Sequence, residues 1–356
     1  VERELGAILQ EAPKVKLLAL APFPFLGAQF GGGERIFNLL GRVEHPIEVL
    51  VPHMLEPARI HAGHLTMTAL STPQHLRHKE WDLQVIESAE ETFGPIVDLI
   101  DPDLVILEHP WQVDAIKGRK FIYDAHNNET ALKKVIGGPE IQEATERVEK
   151  LALQADHVTY CSVDDQLQTK SPMTLIPNGV NLPPEVNTKG FGSKVLLFVG
   201  SAHPPNIGAA IVLANFAKIL PDYQIVIAGQ CSKFVSSDAP NVSLLGHVEP
   251  ATLHQLFLSA HAFMNLMGGG SGTSLKVIKA ISYGLPVISS VIGARGYSTG
   301  CLIARTAQEV TEWLEKLKTP LQYKSVSESN LELAKGYSWD VIGKRFNEVI
   351  HEVAGI

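Results

Sequence analysis

Short apolar runs alternate with helical stripes along most of the chain, and their order sets the expected fold. Val15 to Ala21 reads as a buried strand, followed by the loop Pro22-Phe-Pro-Phe-Leu-Gly27. Gly31-Gly32-Gly33 precedes an expected helix, Glu34 to Leu40, and Ile47 to Val51 is a second strand. Trp81 to Leu99 has helical periodicity, while Leu104 to Leu107 and Phe121 to Tyr123 read as strands. Ile141 to Ala155 is helical and His157 to Cys161 a strand, after which Ser162 caps an expected short helix reaching Gln168. Residues 1–13 read as a short helix or loose arm ended by Pro13, and His53 to His78 shows no assignable period.

Leu175 to Asn181 is expected to close a first domain in a turn, and Pro183 to Gly192 is a polar linker. The rhythm then restarts with strands Val195 to Val199, Tyr223 to Ala228, Val242 to Leu245, Ala262 to Met267 and Leu285 to Ile288. Helices Ala209 to Leu220 and Thr252 to Ala260 lie between them. A further helix starts at Thr273, carries the stripe Leu275, Val277, Ile278, Ile281, and stops at Gly284. Gln308 to Lys318, Ser325 to Lys335 and the amphipathic Tyr337 to Ile350, with Ser338 as candidate cap, complete the chain. Alternation of this kind predicts parallel sheets covered on both faces, and 356 residues suit two such α/β domains. The boundaries expected are 1–182, 183–335 and a final helix over 336–356.

Composition changes this picture only by exclusion. An apolar share of 45% builds sizeable cores, and a net charge of −8 argues against a general nucleic-acid binder. No apolar run reaches a membrane span and no secretory signal is apparent, so the expectation is a cytoplasmic protein. Cys161, Cys231 and Cys301 share no metal or redox spacing, a sparse odd set that fits a reducing compartment.

The strongest candidate for chemistry is Met267 to Ser290. Gly268, Gly269, Gly270 and Gly272 separate an apolar strand from a helix, and such a loop presents unpaired N–H groups to an anion. A tight turn explains the glycines alone. With Thr273, Ser274 and the full charge of Lys276 in the first turn, a phosphate site explains more. Gly31-Gly32-Gly33 repeats the logic more weakly, and a flexible turn accounts for it equally well. Glu108-His109 and Asp124-Ala-His126 leave neighbouring strands at the edge where parallel sheets bind ligands, so His109 and His126 are candidates against a plain loop role. Asp101 and Asp103 sit at a strand's entry, on the opposite edge, and read as turn residues. His53, His61, His64, His75 and His78 lack the i, i+4 pairing of a zinc helix and read as exposed.

Several pieces together resemble retaining glycosyltransferases of the GT-B fold, family 4 type (group 1 glycosyltransferases). They are Ile176-Pro-Asn-Gly-Val180, Phe198-Val-Gly-Ser201 with Pro-Pro-Asn206, Ser271-Gly-Thr-Ser-Leu-Lys276 and Tyr283-Gly-Leu-Pro-Val287. Gly32-Gly-Glu-Arg-Ile36 and Tyr123-Asp-Ala-His126 match more loosely. The resemblance implies two Rossmann-like domains facing across a cleft, with the nucleotide-sugar donor mainly on the second, the acceptor on the first, and the last helix crossing back. It assigns Gly32 and Gly33 to the donor diphosphate from the first domain, His109 to the donor sugar and His126 to the same cleft. Ser201, Asn206, Gly272, Thr273, Ser274, Lys276 and Lys279 fall on donor-phosphate loops, and Gly229 and His247 near the nucleobase. It implies no metal and no cofactor: the nucleotide sugar is a substrate.

Two departures bear on activity. Where the family's helix carries a glutamate for the donor ribose this chain has Lys279, and an earlier partner glutamate is Ser271. The usual Arg/Lys pair after the Gly200 strand is replaced by Ser201, Asn206 and Ile207. A lysine cannot accept from two hydroxyls, and losing such a charge-assisted bond costs about 1.5–3 kcal/mol of binding. Three readings follow. The first is an active transferase building a glycan or polysaccharide, with Lys276, Lys279 and Arg295 neutralising the diphosphate. The second is a degenerate glycosyltransferase-like protein that binds nucleotide, glycan or a partner without turnover. The third, a nucleotide-sugar epimerase, lacks an acidic pair for proton abstraction. The acceptor is expected to be a glycan or lipid-linked, since Arg77-His-Lys79 and Lys117-Gly-Arg-Lys120 could draw the protein to the inner face of an anionic membrane; a solvated face explains them more simply.

Overall fold

The computed structural model describes residues 15–27, 31–53 and 58–356, and the arm expected over 1–13 lies outside them. The chain divides into two compact units. The first holds the described residues as far as Cys161, with Gln166–Ile176 and Gly343–Ile356; the second holds Ser162–Asp165 and Pro177–Ile342.

In the first unit the order is β1 (Leu17–Leu20), α1 (Gly31–Leu40), β2 (Ile47–His53), β3 (Ala58–Ala62), β4 (Leu65–Ser71) and α2 (Trp81–Ile100). β5 (Leu104–Leu107), β6 (Phe121–Ala125), α3 (Glu129–Ile136), α4 (Pro139–Ala152), β7 (His157–Tyr160) and β8 (Met173–Leu175) follow. The sheet order is β3-β4-β2-β1-β5-β6-β7-β8. All pairings are parallel except β3 with β4. Strand order reverses between β1 and β5, which brings the carboxyl ends of these strands together at a switch point.

Several expectations need correcting here. The three glycines do not precede α1 but form its first turn, and burial of Arg35, Ile36, Leu39 and Leu40 holds that turn down. The unassigned histidine-rich stretch contains the β3–β4 hairpin, turning at Gly63 with φ +64°. Leu65, Met67 and Ala69 face the core with period two, and intervening Thr66 and Thr68 face outward. The helix expected after Ser162 is one 3-10 turn, Val163–Asp165, ended by Gln166 in the left-handed region at φ 47°. α3 was hidden among polar residues; Asn128 caps it by accepting from the Ala131 amide at 2.9 Å.

The second unit contains β9 (Val195–Val199), α5 (Pro204–Phe216), β10 (Gln224–Ala228), β11 (Val242–Gly246), α6 (Pro250–Ser259) and β12 (Ala262–Asn265). α7 (Leu275–Ser282), β13 (Val287–Ser289), β14 (Cys301–Ile303), α8 (Ala307–Leu317) and α9 (Pro320–Gly336) complete it. α10 (Trp339–Ala354) counts with this unit as far as Ile342 and with the first from Gly343. The sheet order is β11-β10-β9-β12-β13-β14, all parallel, the doubly wound pattern with its switch point between β9 and β12. Leu196 and Phe198 pack into one buried cluster and Leu197 into another, as alternation across a strand covered on both faces requires. Pro183 to Gly192 has no strand or helix, yet it is fastened: Asn187 Nδ2 donates to the Phe257 and Ala260 carbonyls at 2.8 and 2.9 Å.

Candidate functional site

The loops leaving β9 and β12 meet at the second unit's switch point. Gly229, on the loop leaving β10, sits at φ +94°, and a Cβ there would lie 2.2 Å from the Gly200 carbonyl oxygen, so only glycine permits the loops leaving β9 and β10 to touch. Asn206, in the first turn of α5, donates through Nδ2 to Ser201 Oγ at 3.0 Å and Ser201 O at 3.3 Å. Its Oδ1 accepts from Lys276 Nζ, which reaches over from α7 and lies 5.0 Å from the Phe198 ring centroid. Ser201, Asn206 and Lys276 are therefore brought together. Burial pushes the Lys276 amine down to about 8, the Cys231 thiol pulling weakly the other way. No carboxylate is paired with it among the described residues.

The other residues expected on this unit are more dispersed in role. Ser274 stands at the N-cap of α7 without a side-chain cap bond; its carbonyl takes the Val277 amide at 2.9 Å, which leaves the Leu275 and Lys276 amides to an outside acceptor. Thr273 Oγ1 accepts from Asn178 Nδ2 at 2.7 Å and from Tyr297 OH at 3.4 Å, a packing role rather than an open hydroxyl. Lys279 is exposed, its amine 5.9 Å from the Phe257 ring. His247 is exposed on the loop after β11, and the Gly229 amide donates to the Gly246 carbonyl at 2.6 Å. The Gly272 amide donates to Asp165 Oδ1 at 3.1 Å, and Arg295 Nη2 reaches the same oxygen at 2.6 Å.

The first unit's switch point holds a different kind of centre. Gly32 and Gly33 open α1, and two residues on Arg35 turns inward, 1% exposed. Its guanidinium grips Asp124 through two bonds of 2.8 and 2.6 Å and donates to the Ile176 carbonyl at 2.8 Å. Asp124, at the end of β6, also accepts from Thr159 Oγ1 at 2.6 Å. His126 Nε2 lies 2.9 Å from Glu108 Oε2 and 3.4 Å from Asp124 Oδ2. The His109 ring lies against it, centroids 4.3 Å apart, with Nδ1 3.2 Å from Glu129 Oε1. His126 Nδ1 is buried without a hydrogen-bond partner.

These contacts sort the two histidines. Burial alone would push Asp124 up, but Arg35 and His126 hold it far below the usual carboxylate range. Burial likewise opposes charge on His126, and the carboxylates of Asp124 and Glu108 outweigh it, raising the imidazole. His109 is pushed the other way, down, by burial and then by His126, so the two adjoining rings are shifted in opposite directions. Burial raises the Glu108 carboxyl against the pull of His126. Glu108, Asp124 and His126 offer three donor atoms within 4.8 Å, which could hold a cation. Arg35 already neutralises Asp124, however, and His126 Nε2 is engaged by Glu108 Oε2, which leaves Glu108 Oε1 and His126 Nδ1 as the buried atoms without a hydrogen-bond partner in this set.

Sequence reasoning singled out His109, His126 and Lys276, carried Arg35 only inside the loosely matching Gly32-Gly-Glu-Arg-Ile36, and gave Asp165 no role. A place within the apolar stripe of Ile36 and Leu39 was the other signal for Arg35; Asp165 carried none. Within the basic clusters read as possible lipid contacts, Lys79 pairs with Glu87 and Glu140, Lys117 with Glu90, and Arg119 with Asp98 and Asp101, while Lys120 donates to the Val353 carbonyl. No described helix is long and apolar enough to cross a membrane.

Residues 193–320, most of the second unit, match the family model Glycosyl transferases group 1. Sucrose-phosphate synthase from Thermosynechococcus elongatus superposes with a TM-score of 0.75 at 15% identity, covering 96% of this chain and 99% of that one. Anabaena HepE in complex with UDP-glucose gives 0.66 at 14% identity, covering 95% and 100%. The UDP-forming alpha,alpha-trehalose-phosphate synthase from Burkholderia vietnamiensis gives 0.67 at 9%, covering 96% and 100%. A search of curated proteins finds no match. The fold is that of the GT-B glycosyltransferases. Within it, residues 193–320 are similar to the group 1 glycosyltransferase family.

Proposed function

We infer that the protein moves a sugar from a nucleotide-sugar donor to an acceptor hydroxyl, with retention at the reacting carbon. The convergence of Ser201, Asn206 and a desolvated Lys276 at the switch point of the group 1 domain carries this reading. As the bond from the sugar carbon to the β-phosphate oxygen breaks, its electron pair leaves with the nucleoside diphosphate. The Lys276 cation and the open amides of α7 meet that growing charge. The acceptor oxygen bonds to the same face of the carbon and passes its proton to the departing phosphate. His109 and His126 are assigned to the transfer step, His126 offering Nδ1–H to a sugar oxygen.

UDP-glucose, found with HepE, is the first donor to test, and a glycan or lipid-linked acceptor fits the reading. The protein should release UDP or another nucleoside diphosphate from one member of a nucleotide-sugar panel, and lose this in His109→Ala and Lys276→Ala. A panel without hydrolysis, transfer or a donor-induced rise in melting temperature would falsify it. One observation favours the non-catalytic alternative: α7 offers no carboxylate for the donor ribose, and Lys279 is exposed in that place.

A further inference from the structure

One oxygen of Asp165, Oδ1, accepts from both the Gly272 amide and Arg295 Nη2. Gly272 is left-handed at φ +60°, which aims its N–H at the carboxylate. Arg295 Nη2 closes on it at 2.6 Å while Nη1 anchors to the Gly270 carbonyl of the same loop. Arg295 Nε is buried with no hydrogen-bond partner and lies 4.0 Å from Asp164 Oδ2. A main-chain amide and a guanidinium with a spare N–H make a better cradle for a tetrahedral phosphate than for one carboxylate oxygen.

We propose that the Gly272 amide and Arg295 form a phosphate subsite occupied here by Asp165, and that a nucleoside diphosphate displaces this carboxylate on binding. This rests on the donor reading above and adds to it an internal competitor. Asp165 is 6% exposed, and burial pushes its carboxyl up against the pull of Gly272 and Arg295. Release to solvent relieves that cost, and an incoming phosphate oxygen takes over the bonds from the Gly272 amide and Arg295. An occupied subsite lowers apparent affinity by the fraction of molecules in which it is open.

Titration calorimetry of UDP and of inorganic pyrophosphate tests this on the full chain. Asp165→Asn and Asp165→Ser should each tighten both ligands about tenfold. Arg295→Gln should weaken both and cancel the gain in the double variant, while Asp164→Asn should change them less than twofold. Unchanged or weaker binding in the Asp165 variants overturns the proposal and leaves the donor reading intact if UDP still binds. No binding of any nucleoside diphosphate to any variant removes both. Should the Asp165 variants fail to fold, saturating UDP must shift the wild-type Gly272 amide resonance; a stationary signal rejects the subsite.

Discussion

Arg35 in the first unit and Lys276 in the second are both cations withdrawn from water near a switch point of a parallel sheet, yet their surroundings are opposite. Arg35 meets an ionised carboxylate in fork geometry and a carbonyl, so folding itself supplies its counter-charge. Lys276 meets an amide oxygen and an aromatic face, and its amine is pushed down as a result. A neutralised cation stiffens a site; an unneutralised one waits for an anion. The difference is between a cation whose counter-charge the fold supplies and one that the proposed donor phosphate would supply.

The contrast can be broken most severely at the buried pair. Arg35→Met takes the guanidinium fork from a buried carboxylate, leaving Asp124 with Thr159 and His126, and should cost about 3–5 kcal/mol in urea unfolding. Lys276→Met should do the reverse, raising stability by about 1 kcal/mol because a desolvated charge is removed. If both variants destabilise alike, the two cations do not differ as described. On activity the ranking inverts: Lys276→Ala should lower transfer by about 10²–10³-fold, the scale of losing one preorganised donor to a developing anion.

Titration sharpens the same point. The Lys276 amine is charged below about 8, so nucleoside-diphosphate affinity is full beneath that value and is lost as pH rises through it. Calorimetry should find UDP bound about tenfold more weakly at pH 9 than at pH 7. A flat profile would mean that the amine is not the phosphate partner. The smallest effect is expected at Lys279, which is exposed: Lys279→Glu should tighten uridine by about fivefold through the ribose hydroxyls and slightly weaken pyrophosphate. Weaker uridine binding would show that lysine serves the ligand as it stands.

Legibility in the sequence followed the range of the interaction. Strands such as Leu104–Leu107 and Val195–Val199 announced themselves through unbroken apolar runs, because both faces of a parallel sheet are buried. The β3–β4 hairpin did not, since His61 and His64 flank its turn and the alternation of Leu65, Met67 and Ala69 with threonines is confined to its second strand. Lys276 was legible because the glycine loop and the helix start are local. Arg35 with Asp124 spans 89 positions and Asp165 with Gly272 spans 107, and no local pattern encodes such pairs. Arg295, expected to stand ready for the diphosphate, is instead held by Asp165, a competition visible only in three dimensions.

The composition of the first unit has a practical consequence for anyone wishing to dissect the protein. Asn347, near the end of the chain, donates to the Arg42 carbonyl at 2.7 Å and accepts from the Glu44 amide at 3.0 Å. A gene fragment stopping after Ile176 would thus discard a tailpiece that closes its own first lobe. Isolating that lobe calls for splicing Gly343–Ile356 back on, by fusion or circular permutation, rather than for a stop codon.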